Sequence, residues 1–503
     1  MPANVNANVY DRVPYPSLAF LQTHPDRLAV LATLFGMDPV AVERCRVLEI
    51  ACGDGSNLIP MAFGLPGSEF VGVDLAAKPI HSAQEKIRRL GLRNIRMENM
   101  DLVEITPEFG EFDYIIAHGV YAWVPEPMQE KILAICAANL SANGVAFVSY
   151  NTNPAGRVRQ ILHDMMQFHE RRSAGTADRV KDGRNFLESI LKVTDARSPW
   201  KALFQDEVKL MFNRDEKVVY HDDLAESFSP VSFGDFAGRA ALCGLQFLSE
   251  AQLSEVLEPD LSAEVLSTVR QLAQDDAIAY QQYLDFARYR RFRQTLLCHA
   301  EIPLRRDGAT ERLGKLLVAS PMKVSAERGN GAVEFTNSRG AGTLTTNNPA
   351  VIAVLRRLEE IWPRAERFEE LVRKVLPLIS EPQQPDALAG LAHAMLQLGA
   401  STLTDLRTYN LPLADGVSEK PTASLLARLM VQEGNIVTTL LHTHLNIEDE
   451  QGRRFVQLLD GTRDRHALAD ALADAFPNVS RDTLLQQVDG NLVHFYKMGL
   501  LVA

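Results

Sequence analysis

Val47-Leu48-Glu49-Ile50-Ala51-Cys52-Gly53-Asp54-Gly55-Ser56-Asn57 decides the fold. An apolar run of strand type ends in a turn of small residues, and a helical pattern follows at Leu58-Ile59-Pro60-Met61. Gly53 and Gly55 lack a Cβ, so the chain can turn sharply and a ligand can approach its backbone. The turn falls at the carboxyl end of a strand, where open α/β sheets bind ligands. A second strand, Phe70-Val71-Gly72-Val73, ends in Asp74, 19 residues beyond Gly55. That is where an acid grips ribose hydroxyls in a nucleotide-binding βαβ unit. The bland alternative is a helix cap.

The third position of the dinucleotide fingerprint is Leu58 rather than glycine, so no pyrophosphate cradle opens the helix. A nucleoside without phosphate fits better. S-adenosylmethionine needs ribose and adenine contacts and a dry slot for its sulfonium-bearing tail. Glu49 lies within reach of that tail. Asp101 can accept from the adenine amino group while Met100 packs on the ring, although Asp101 also suits a loop cap.

Glu49-x-Ala51-Cys52-Gly53-x-Gly55, Asp74, Asp101 and Phe112-Asp113-Tyr114-Ile115-Ile116-Ala117-His118-Gly119 together resemble class I S-adenosylmethionine-dependent methyltransferases. His118-Gly119-Val120-Tyr121-Ala122-Trp123-Val124-Pro125, Ser149-Tyr150-Asn151-Thr152 and Tyr220-His221-Asp222-Asp223-Leu224 are similar to members that carry a regulatory domain. The rickettsial lysine methyltransferases of outer-membrane proteins are among their relatives. The resemblance implies that Ala51, Gly53, Gly55, Asn57, Asp74, Leu75, Met100, Asp101, Glu49 and His118 line the cofactor. It also implies that an N-terminal segment carrying Tyr15 crosses the cofactor mouth. Where that family continues Asn-Thr-x-Pro-Gly-Trp, this chain has Asn153-Pro154-Ala155-Gly156-Arg157. The aromatic residue is missing, which bears on the acceptor.

Methyl transfer is an in-line displacement, so the protein must hold the acceptor atom about 3 Å from the methyl group. A lysine ammonium must first shed a proton from a reference pKa near 10.4, and a desolvating aromatic slot lowers that value. Tyr121, Trp123 and Tyr150 are the candidate walls, with cation–π contact to a methylated ammonium, and Asn151 offers a carbonyl acceptor. His118 is the candidate proton acceptor, since histidine titrates near neutrality. Each has a plainer role open to it as core packing.

The 503 residues are too many for one core. Hydrophobic residues make up 46% and charged residues 23%, an ordinary globular composition. A net charge of −12 argues against a nucleic-acid footprint and would suit a basic protein substrate. Five scattered cysteines with no C-x-x-C pair point to a reducing compartment without disulfides or structural zinc, and no metal ligand set is evident. With no leader pattern and no window of transmembrane length, a cytoplasmic protein without membrane insertion is expected.

Strands near 46–50, 69–73, 94–98, 112–117 and 144–150 alternate with helices near 57–63, 78–90 and 127–140, which implies a mainly parallel α/β sheet. Gly91 and Gly144 fall where helix ends need a left-handed residue. Arg291 to His299 reads as an antiparallel seventh strand of a Rossmann-like, seven-stranded sheet. Its arginine cluster, Arg288, Arg290, Arg291 and Arg293, reads as a set of ion pairs. The expected domains are a lid segment at 1–45, the first part of the core at 46–156 and a helical insertion at 157–230. The core is completed at 231–306, and smaller α+β modules follow at 307–415 and 416–503. The insertion would serve regulation or dimerisation, so a homodimer is open. Arg171 to Asn185 reads as a mobile turn and 304–316 as a linker.

A shift of 100 residues superposes Leu358 on Leu458, Phe368 on Leu468, Val372 on Leu472, Met395 on Phe495 and Gly399 on Gly499. Two copies of one winged-helix-like unit follow from that constant offset. They are not basic enough for DNA and read as protein-binding or dimer-forming modules. His442-x-His444 is too sparse for a metal site. Three functions are carried forward. The first is a protein-lysine N-methyltransferase. The second is a methyltransferase of a small molecule or peptide natural product. The third is a cofactor-sensing interaction protein without turnover.

Overall fold

The structure is a computed structural model that describes residues 9–13, 15–172, 178–257, 261–329, 331–379 and 390–502. Residues 1–8 of the expected lid and 173–177 of the expected turn lie outside these.

Among the described residues, seven strands form one sheet: β1 (Arg46–Ile50), β2 (Glu69–Asp74), β3 (Ile95–Asn99), β4 (Phe112–Ala117), β5 (Leu140–Asn151), β6 (Leu245–Glu250) and β7 (Phe292–His299). Their order is β3-β2-β1-β4-β5-β7-β6, with β7 antiparallel to both neighbours and the other pairings parallel. The strands β1, β4 and β5 are apolar nearly throughout because helices cover both faces. One layer packs Val47, Tyr114, Phe147 and Leu296 against the helices Pro25–Leu34 and Leu58–Gly64. The other packs Leu48, Ile115, Val148 and Leu297 against the helix Glu126–Asn139.

Two expectations need correction. Gly91 does take the left-handed conformation after the helix Ala77–Leu90 (φ 66°), but Gly144 does not cap a helix. Asn139 ends its helix, Leu140 is already extended, and β5 starts there. A Cβ on Gly144 would lie 2.7 Å from the Leu140 side chain and 3.0 Å from the Asp113 carbonyl, so close packing inside a strand is what that glycine serves. The stretch 304–316 is not a solvated linker either. Arg306 donates to the Phe247 and Leu248 carbonyls, Arg312 to the Leu34 carbonyl, and Leu313 and Leu316 are buried.

The insertion after β5 is a helical layer: Ala155–Arg172, Arg179–Val193, Pro199–Phe212 and Glu216–Asp222. Of the turn expected over 171–185, Arg171 and Arg172 end one helix and the helix from Arg179 takes the described residues 179–185. The arginines at the start of β7 are ion-paired, as expected: Arg288 with Glu255, Arg291 with Glu207, and a buried network around Arg293. Arg293 is fully buried between Glu250 (2.6 Å) and Asp285 (2.7 Å), and Arg290 reaches the same Glu250.

Beyond the sheet the 100-residue repeat becomes two units of like order. Helices Pro349–Ile361, Phe368–Val375 and Leu391–Ala400 correspond to Glu450–Leu458, Arg465–Ala475 and Arg481–Lys497. The superposed pairs Leu358/Leu458, Phe368/Leu468 and Met395/Phe495 are buried in the two separate cores. No helix among the described residues is long and apolar enough to cross a membrane.

Candidate functional site

The site lies at the carboxyl ends of β1, β2, β3 and β4. After β1 the chain turns through three left-handed residues, Ala51 (φ 59°), Gly53 (φ 56°) and Gly55 (φ 73°). A non-glycine residue held at positive φ costs about 1 kcal/mol and is characteristic of functional turns. Gly55 is closed in, since a Cβ there would sit 2.9 Å from Ile59. Gly53 faces open ground, with only the Ser17 hydroxyl within 4 Å of such an atom.

Asp74 bridges two backbone amides beside this turn. Its carboxylate accepts from Gly53 N–H at 2.9 Å and from Ala76 N–H at 2.8 Å. Burial nevertheless raises its pKa. The helix-cap role and the ligand-facing role are therefore not exclusive. Leu75, next along, is an exposed apolar side chain, 61% accessible, which a purine ring could cover. Asn99 holds this corner by donating to the Asp74 and Leu75 carbonyls, and the Met100 amide donates to the Asp74 carbonyl as well. The Asp101 carboxylate caps the short turn Leu102–Glu104 through the Val103 amide at 3.1 Å. That use of Asp101 is the plainer of the two anticipated for it.

Glu49 is the most unusual group. It is 4% exposed, and its Oε1 accepts from Asn57 Nδ2 at 2.7 Å. Its Oε2 is buried with no partner. Burial pushes the carboxyl up to about 8, with the Asp74 and Asp54 charges adding to the effect. A buried carboxylate oxygen without a donor is costly unless a cation completes it. The α-ammonium of S-adenosylmethionine is such a cation, so the residues present fit that cofactor: an orphaned acid for the tail, Asp74 for the ribose and Leu75 for the base.

The N-terminal arm closes over the site. Asp11 accepts from the Lys78 amide at 2.8 Å, and the Phe20 amide donates to Asn57 Oδ1 at 2.8 Å. Phe20 also packs edge-on to His118, with centroids 4.2 Å apart. Tyr10 and Tyr15 flank the His221 ring, Tyr10 stacked at 4.4 Å and Tyr15 tilted at 5.5 Å, and His221 Nε2–H donates to the Val13 carbonyl. The Tyr10 hydroxyl is pushed up to about 12 by burial and by the Asp222 and Asp74 carboxylates. Burial also raises Tyr15, so both phenols stay neutral.

The other predicted residues separate into two groups. His118 stands at the end of β4, its Nδ1 2.9 Å from the Ser149 hydroxyl, which also accepts from the Gly119 amide. Burial lowers the His118 pKa to about 4, so the ring is neutral near pH 7 and is a poor reservoir for a proton. Tyr121 and Tyr150 are buried and pack on Phe236, and the Tyr150 hydroxyl meets Thr295 at 3.1 Å. Trp123 is only partly buried, but the Arg159 guanidinium lies over its ring at 5.1 Å and pairs with Asp222 and Asp223. The Asn151 amide makes no side-chain hydrogen bond among the described residues, and the neighbouring Asn153 Oδ1 is buried and unpartnered. Tyr10, Ser149, Arg159, His221 and Asp222 were not anticipated in these roles. Ser149, His221 and Asp222 did stand within motifs that carry the resemblance, which was the available signal.

A parallel sheet with an antiparallel seventh strand, and a nucleoside site without a phosphate cradle at its tips, define a class I methyltransferase. The comparisons agree. The profile described as "Methyltransferase domain" matches residues 47–144, "Predicted methyltransferase regulatory domain" matches 215–299, and "PKMT, C-terminal winged helix domain" matches 419–493. An uncharacterized protein of Rickettsia prowazekii (strain Madrid E) is 30% identical over 477 residues, 92% of this chain and 85% of the relative. A second uncharacterized protein from that organism is 32% identical over 241 residues, 48% of this chain and 96% of the relative. The structure of PKMT2 from Rickettsia typhi in complex with AdoHcy superposes with a TM-score of 0.86 at 25% identity, over 97% of this chain and all of that one. The chain belongs to the class I S-adenosylmethionine-dependent methyltransferases that carry a methyltransferase regulatory domain, and S-adenosylmethionine is its cofactor.

Proposed function

We propose that the chain is a protein-lysine N-methyltransferase. The supporting observation is its overlap, through both C-terminal modules, with PKMT2 of Rickettsia typhi. A metabolite methyltransferase has no evident use for such modules, whereas a protein substrate offers surface for them to grip. The net charge of −12 is consistent with a basic substrate.

When bound, the cofactor supplies an electrophilic methyl group. Glu49, Asp74 and the Ala51–Gly55 turn hold its two ends and leave the region beneath the arm for the acceptor. The groups proposed to receive the lysine lie between arm and insertion: Tyr15, His221, Asp222 and Trp123, with Asn151 at the end of β5. Asp222 is already neutralised by Arg159, so the aromatic surroundings dominate: they desolvate the incoming ammonium, which lowers its pKa and promotes the free amine. Tyr121 and Tyr150 back this wall from the core. Arg157 is exposed at the start of the insertion, and its charge would bias the acceptor sequence toward acidic neighbours.

The test is tritium transfer from labelled S-adenosylmethionine to a panel of proteins and metabolites, followed by hydrolysis and amino-acid analysis. Label in methylated lysine is expected. Label confined to a small molecule or a peptide natural product would replace this reading. Binding without transfer to any acceptor would favour a cofactor sensor.

A further inference from the structure

His442-x-His444 is the one motif of the C-terminal winged helix that neither a metal nor the methyl transfer absorbs. It lies on the turn between the strands Ile436–Thr438 and His444–Asn446. The turn is built stiffly. Thr439 N–H donates to the Thr443 carbonyl at 2.8 Å, Leu440 N–H to the Gly499 carbonyl at 2.9 Å and His442 N–H to the Thr439 carbonyl at 2.9 Å. His442 is held at φ 56°, a left-handed conformation that a histidine adopts only under constraint. The ring is buried, 4% exposed, against His24 (centroids 5.1 Å apart) and Asn57 beside the β1 turn.

There His442 Nε2 lies 3.1 Å from Asn57 Oδ1. The Phe20 amide sets the assignment around Asn57, because a backbone N–H can only donate and so must face Oδ1. Its Nδ2 donates to Glu49 Oε1 (2.7 Å) and to Thr23 Oγ1 (3.0 Å), while Thr23 O–H donates to the Phe20 carbonyl (2.8 Å). Asn57 Oδ1 then accepts from Phe20 N–H (2.8 Å) and from His442 Nε2–H (3.1 Å). The amide is oriented by these donors, and its orientation presents an N–H, rather than an oxygen, to Glu49. Two residues on, His444 Nε2–H donates to the Ala19 carbonyl at 2.8 Å, which fixes the arm segment that delivers Phe20.

We propose that His442 is a positioning residue for cofactor binding, acting from the C-terminal winged helix through Asn57 on the Glu49 carboxylate, so that this module is a working part of the cofactor site. The proposal rests on the reading of Glu49 as the group that receives the cofactor's ammonium. Burial keeps the His442 ring neutral, which suits a single-proton donor. With His442 absent, Asn57 Oδ1 keeps the Phe20 N–H and the more distant Thr23 hydroxyl (3.3 Å) but loses the ring donor, and a flipped amide would set its oxygen against Glu49 Oε1. The module thereby gains leverage over the site. Any partner that pulls on the 439–444 turn changes how tightly the cofactor is held.

The test uses the full-length protein and calorimetric titration with S-adenosylmethionine. His442→Ala should weaken binding about ten-fold, the size of one buried hydrogen bond. KM for the cofactor should rise with little change in KM for the acceptor. His442→Gln can place an N–H near the Nε2 position and should recover most of the affinity. A purely structural role would not be rescued by glutamine and would lower the melting temperature without that selective KM change. In a Glu49→Gln background, His442→Ala should have no further effect, because the two act on one bond chain. Unchanged affinity in His442→Ala alongside weakened binding in Glu49→Gln overturns the positioning role alone. Unchanged affinity in Glu49→Gln overturns the reading of Glu49 beneath it.

Discussion

Glu49 carries a proton that its surroundings hold on to. Burial raises its folded pKa to about 8 from an ordinary value of 4.5. A carboxyl with a raised folded pKa contributes stability below its unfolded pKa and loses it as pH rises. The ligand-free protein should therefore become less stable between about pH 4.5 and 8, and Glu49→Gln should flatten that part of the melting-temperature profile. The cofactor's cation favours the ionised form, so binding near pH 7 should expel about one proton. The buffer dependence of the calorimetric enthalpy measures this, and Glu49→Gln should abolish it. Asp74 holds the Gly53 and Ala76 amides at the lip of the β1 turn, where the proposed ribose would lie. Asp74→Ala should weaken S-adenosylmethionine at least ten-fold with an unchanged far-ultraviolet spectrum. An unaltered dissociation constant would remove the ribose assignment.

At the level of elements, β7 and the arm behave differently. The β7 arginine is sealed between two buried acids, and removing one partner of such a cluster leaves uncompensated charge, at a cost of about 3–5 kcal/mol. Arg293→Met should lower the melting temperature markedly while leaving cofactor affinity per folded molecule intact, since neither Glu250 nor Asp285 reaches the β1 turn. The arm is held instead by scattered polar bonds, Asp11 to Lys78 and His221 to the Val13 carbonyl, around Tyr10 and Tyr15, each covered on one side by the His221 ring and still 39% and 40% exposed. Segments with few buried apolar contacts open easily. Hydrogen exchange should be fast across residues 9–18 without ligand and slow with it. Protection at 439–444 should rise in parallel through Asn57 and the Ala19 carbonyl, and the absence of that second change would argue that the arm moves independently.

Across the whole molecule, the segment Ala19–Leu34 ties the parts together. Asp26 accepts from the Thr408 amide and hydroxyl, Arg27 pairs with Asp405, and Val30 and Leu34 enter the core of the middle unit. The other face of that helix packs on the sheet through Leu28 and Leu31. Cofactor binding should accordingly stabilise the full chain as one unit, by about 2.7 kcal/mol at one hundred times the dissociation constant. A single upward shift of the thermal transition is expected. Two transitions, only one of them ligand-sensitive, would show that the units melt separately.

The sheet and its site were legible because local pattern carries them. Apolar runs of strand length, glycines at the β1 turn and an acid closing β2 are features of consecutive residues, and the 100-residue offset is a feature of spacing. The arginines around the start of β7 were readable as ion pairs because so many like charges in and beside one strand need acidic partners. Other features needed the third dimension. Gly144 looks like a helix cap until Leu140 and the Asp113 carbonyl are seen beside its missing Cβ. Nothing local distinguishes Trp123, half-covered by Arg159, from Tyr121 and Tyr150 in the core, since solvent contact is decided by the helices packed on top. His442 and Asn57 are 385 residues apart. The sequence by itself determined the strands, the cofactor turn and the repeat, because short-range periodicity and backbone freedom fix them. Only the tertiary structure decided which side chains share one buried hydrogen-bond chain, because that depends on which distant surfaces exclude water together.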